Sequence, residues 1–174
     1  MSRKIKILFL LISVIIITMF TLGGIGNDRG IPGTDVPKKL NSFNRTKVIR
    51  GEKAKDITKS LHQNPRQINR IQKAIILKYN IPNSSYLKLY VSYYQTSGDA
   101  EASIEKMARE IEKPLYTDPI RKEIRGIKTY IGSIKGNNFI FWNNQKITYW
   151  LTYPKSPELK KEKLLQVINS AFSR

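Results

Sequence analysis

The chain has 174 residues and no cysteine, which excludes disulfides, thiolate metal sites, a cysteine nucleophile and a lipid-modified N-terminal cysteine. Lysine and arginine number 31 against 13 aspartates and glutamates, a net charge of +18. Glutamate is scarce beside lysine, so the excess is not a general enrichment in charged residues, and it draws the protein towards anionic surfaces and polymers.

Residues 1–26 read as a signal anchor. Arg3, Lys4 and Lys6 come first, and Ile7 to Gly26 then runs without a charge. At 1.5 Å per residue that stretch covers about 30 Å, the thickness of a bilayer's hydrocarbon core. The charges ahead of it place the N-terminus in the cytoplasm and the remainder outside, in a single-pass membrane protein. Cleavage near Gly24 or Gly26, giving a secreted form, is the alternative. Beyond the anchor 28 cations face 13 acids, which leaves +15 on the outer part. Residues 27–44 are rich in glycine and proline and form a flexible linker. With the glycines just before it, this stretch of about 20 residues would span roughly 25 Å on average.

Residues 45–174 form the folded part, expected to be a basic extracytoplasmic α+β domain. Asp56 to Leu61 suits a short helix. Asn64-Pro65 supplies an N-cap and a first-turn proline for a second helix, with Ile68, Ile71, Ile75 and Tyr79 on one face and Arg66, Arg70 and Lys73 on another. Tyr86 to Gln95 alternates as a half-buried strand does, with Leu87, Leu89, Val91 and Tyr93 pointing one way and Lys88, Tyr90, Ser92 and Tyr94 the other. Ser97-Gly98-Asp99 opens a helix carrying Ala100, Ile104, Met107, Ala108 and Ile111. Three strands follow, near Ile124–Ile134, Phe139–Asn143 and Lys146–Tyr153. Gly136-Asn137-Asn138 and Asn143-Asn144 supply the turns between them. Ser156-Pro157-Glu158 begins a last helix with Leu164, Ile168, Ala171 and Phe172 on its apolar stripe.

The expected architecture is thus a small antiparallel sheet of about four strands covered by amphipathic helices. In element order it resembles small exported sheet-and-helix domains, PsbP-like ones among them. No motif residues accompany that order, and no function follows from it.

The chemistry-bearing residues are few. His62 has no second histidine or carboxylate at ligand spacing, so it reads as an ordinary helix-end residue, and no metal or other cofactor is expected. The acidic stretch Asp99, Glu101, Glu105, Glu110 and Glu112 fits a helix with acids at its N-terminus and a Glu105–Arg109 pair. No nucleotide-binding loop and no nucleophile elbow appears. Phe139, Phe141, Trp142, Tyr149, Trp150 and Tyr153, with Tyr86, Tyr90, Tyr93 and Tyr94, suit core packing, or else a base-stacking surface.

Two basic clusters remain, Arg121, Lys122, Arg125 and Lys128, and Lys155, Lys160, Lys161 and Lys163. They are the candidate anionic-partner residues, for a polymer, a lipid headgroup or an envelope protein. The reading is a non-enzymatic, membrane-anchored domain that binds an anionic envelope component or another envelope protein. A surface nucleic-acid-binding module and an envelope hydrolase with dispersed catalytic residues are the alternatives.

Overall fold

The computed structural model describes residues 36–40, 42–61, 70–81, 86–113, 116–124, 126–154 and 168. Its elements in chain order are β1 (Lys39–Leu40), β2 (Phe43–Arg50), α1 (Gly51–Ser60), β3 (Ile71–Asn80) and β4 (Tyr86–Tyr94). They continue with α2 (Ser97–Ile111), β5 (Thr117–Ile124), β6 (Ile127–Ile134), β7 (Asn137–Asn144) and β8 (Ile147–Pro154). All eight strands join one sheet in the order β1-β2-β3-β4-β8-β7-β6-β5, with every pairing antiparallel. The α+β expectation of about four strands under helices is therefore corrected. The protein is built chiefly of antiparallel sheet, and the described residues contain two helices.

Four elements account for the difference. The helix expected across Ile71, Ile75 and Tyr79 is strand β3, paired along its length with β4. Those positions are four apart, a spacing that fits one helix face and also the even spacing of a strand face. What decides the matter is the run Ala74-Ile75-Ile76-Leu77, buried on both faces, as a central strand requires and a surface helix does not. Strands β1 and β2 lie partly in the stretch read as linker. The segment before β6 is a separate edge strand, β5, whose Pro119 and charged side chains hide its strand character.

The helices pack on one face of the sheet. Ala54 of α1 and Ala100 of α2 meet Ile71, Ala74, Ile76, Tyr90 and Tyr94, while Ile104, Ala108 and Ile111 of α2 meet Tyr130, Phe139 and Phe141. Thr96 caps α2 by accepting a 3.1 Å hydrogen bond from the Asp99 amide, and it donates to the Asp99 carboxylate at 2.8 Å. The opposite face is buried as well, through Leu77, Tyr79, Leu89, Leu151, Ile140, Trp142 and Tyr149. Burial raises the Tyr79 hydroxyl to about 12 and pushes Tyr149 upward too. The last helix expected from the sequence lies outside the described residues except for Ile168, which is helical and fully buried.

Lys135 and Gly136 have φ of 49° and 78°. They form the two-residue loop between β6 and β7, where paired left-handed residues match the twist of a hairpin. Asn137 and Asn138, expected in that turn, belong to β7 instead. On β6, Gly132 sits beneath a ring, and a Cβ there would come within 2.5 Å of Phe139 Cζ. Gly132→Ala is expected to cost about 1–3 kcal/mol, the range for overpacking. A urea midpoint unchanged by the substitution would show that Phe139 swings aside freely.

No helix among the described residues is long and apolar enough to cross a membrane. Residues 7–26, read as the anchor, lie outside the described residues.

Candidate anionic-partner site

The described cations singled out from the sequence sit on β5 and β6. Strand β5 closes one edge of the sheet and is exposed from Pro119 to Glu123. Neighbouring residues of a strand point to opposite faces, so Arg121 and Lys122 do not share a surface. The Arg121 guanidinium lies 5.7 Å from the centroid of the Tyr130 ring, on the helix side. Lys128, on the same side, forms a close ion pair with Glu105 of α2, and the Tyr130 hydroxyl donates to the same carboxylate at 3.1 Å. Glu105 therefore pairs across to the sheet and not with Arg109 along its own helix. Arg125, Lys155, Lys160, Lys161, Lys163 and His62 lie outside the described residues.

The Lys128 hydrogen bond holds the Glu105 carboxyl below its ordinary 4.5, with Tyr130 adding to the effect. A depressed folded pKa gives stability that is complete above the unfolded value and lost as pH falls through the folded one. Wild-type stability should thus drop below pH 4.5 more steeply than that of Glu105→Gln, in parallel urea titrations. Superimposable curves would mean that the contact has no net weight.

A second basic group comes from residues far apart in sequence. The helix-covered face carries a cross-strand row in which Ile49 pairs with Ile76, Ile76 with Tyr90 and Tyr90 with Trp150, packed under α1 and α2. Two residues along each strand lies the next row, in which Lys47 pairs with Lys78, Lys78 with Lys88 and Lys88 with Thr152. Three lysines thus stand side by side on adjacent strands, about 5 Å apart at Cβ. Lys47 is exposed, and Lys78 and Lys88 are half-buried. No ion pair among the described residues involves any of the three. Tyr86, 51% exposed, flanks the row, with the Lys78 ammonium 5.8 Å from its ring centroid.

Like charges set directly opposite one another on a sheet destabilise it. The sequence held one clue, since Lys78 and Lys88 stand symmetrically about Asn83. Reading it required β3 to be recognised as a strand.

The aromatic strands are mostly interior. Trp142, Phe139, Phe141, Tyr149 and Tyr153 are each no more than 2% exposed. They stack on one another, Trp142 on Tyr149 at 4.9 Å and Tyr130 on Phe141 at 5.0 Å, and so offer no platform for bases.

A cavity of about 10 Å³, room for about one water, is lined by the hydroxyl-bearing Thr58, Ser92, Tyr94, Ser103 and Thr148. Tyr94 and Ser103 hydrogen-bond to each other at 2.9 Å. Among the described residues no histidine, carboxylate or lysine lines this cavity. Among the described residues no cluster of histidines and carboxylates is placed to hold a metal ion.

Residues 57–170 match the family described as "Domain of unknown function (DUF4367)", and the chain belongs to that family. No curated protein and no solved structure matches the chain.

Proposed function

We propose that this member of the DUF4367 family is a non-enzymatic, extracytoplasmic domain. It is held at the membrane by residues 7–26 and binds an anionic envelope component. The observation that carries the reading is the Lys47–Lys78–Lys88 row, three cations in register with no ion pair to any of them among the described residues. The charge of +15 beyond residue 26, from 28 cations against 13 acids, adds long-range attraction to the same partners. At the β5–β6 edge, Lys128 is already balanced by Glu105, and Arg121 and Lys122 diverge, so that edge is the weaker surface. The buried aromatic rings argue against base stacking.

The test is binding of fluorescent polyphosphate to the full chain in zwitterionic nanodiscs, measured as salt is raised. Affinity should fall linearly with salt on logarithmic axes, as counterion release requires. Binding that ignores salt, or no binding at low salt, would overturn the reading.

A further inference from the structure

The lysine row lies at the end of the sheet where the chain enters the fold. Strand β2 begins there, β3 ends there and β4 begins there. The entering residues are fastened at the same end, on the other face of the sheet. The Arg45 guanidinium donates to the Val36 carbonyl at 2.5 Å and to the Pro37 carbonyl at 3.4 Å. The Tyr79 hydroxyl also donates to Pro37 O, at 3.1 Å, and the Arg45 amide to Lys38 O, at 2.9 Å. Arg45 precedes Lys47 by two residues and Tyr79 follows Lys78 directly. The point at which the domain is pinned and the cationic row therefore share one end of the sheet, on its two opposite faces.

This position limits how far the row can travel from a membrane that holds residues 7–26. Only residues 27–35 separate that segment from the fastened Val36. Nine residues reach at most about 32 Å in any conformation. The row thus stays within a short distance of the lipid surface, at a high effective concentration of headgroups that a soluble partner would have to exceed. Lys38 and Lys39 stand at this end too and add to its positive charge. Exposed Tyr86 suits the interface, where an aromatic ring with a polar tip sits at headgroup depth.

We infer that Lys47, Lys78 and Lys88 dock the domain onto anionic phospholipid headgroups of the bilayer that carries its own anchor. Docking on the home membrane would orient the domain with the β1–β4 end down and the opposite end of the sheet, which bears Lys146, facing away.

This inference rests on the anionic-partner reading, and the experiment separates the two. The full chain is placed in three samples: zwitterionic nanodiscs, nanodiscs containing phosphatidylglycerol, and zwitterionic nanodiscs with soluble polyphosphate. Lysine acetylation rates are then read by mass spectrometry. Lys47, Lys78 and Lys88 should acetylate about tenfold more slowly in the anionic discs than in the zwitterionic ones, and Lys146 should not change. Protection by polyphosphate alone, with none from the anionic lipid, would overturn membrane docking and leave the anionic-partner reading standing. Protection in neither sample would overturn both.

Discussion

Replacing Lys47, Lys78 and Lys88 together by glutamine is expected to weaken polyphosphate binding about 100-fold at low salt. Each lysine near an anionic surface contributes about 1 kcal/mol, and the three together about 3 kcal/mol. The logarithmic salt slope should flatten by about two, because three fewer counterions are released. Stability should move the other way. Two like-charged cross-strand contacts disappear, each worth roughly 0.2–1 kcal/mol of repulsion, so the variant should be as stable as the wild type or more so. A purely structural row would instead lose stability and keep its binding. Wild-type affinity in a folded triple variant would remove the site.

Trp142→Ala is expected to cost about 3–5 kcal/mol, the range for deleting a large buried ring. Trp142 is fully buried near the middle of the sheet, on the face that neither described helix covers, and it stacks on Tyr149. The loss would take a large part of the 5–15 kcal/mol that holds a typical domain together. Trp142→Phe keeps an aromatic partner for Tyr149 and should cost distinctly less. Urea denaturation of the two variants provides the comparison. Equal, small losses would show that the sheet can collapse into the space.

The sequence was most legible where one physical signal acted alone. Helix α2 announces itself through its Ser97-Gly98-Asp99 start and its apolar stripe, and Ser97–Ile111 matches that reading. Strand β4 and the β6–β8 meander were likewise readable from alternation and turn residues, with boundaries off by a few positions. The misreading of β3 arose because Ile71, Ile75 and Tyr79 satisfy two periods at once. Strand β2 was missed because Asn44, Arg45, Thr46 and Lys47 show no apolar alternation, and their strand character appears only where β3 pairs with them. The lysine row was invisible for a related reason. It exists only as a register between three strands, and no local window of sequence contains it.

The strand order also says something about how the chain finds its fold. Strands β1 to β4 form one meander and β5 to β8 another, each held by pairings between consecutive strands. The two are sewn together at a single seam, β4 against β8, where Leu89 meets Leu151 across roughly 60 residues of chain. Local hairpins close in microseconds, whereas so distant a pairing waits on a large loss of chain entropy. The seam therefore carries the largest loop-closure cost among the strand pairings. Until it closes, each half exposes an unpaired inner edge, and those edges are where a newly made chain is most open to pairing with a neighbour.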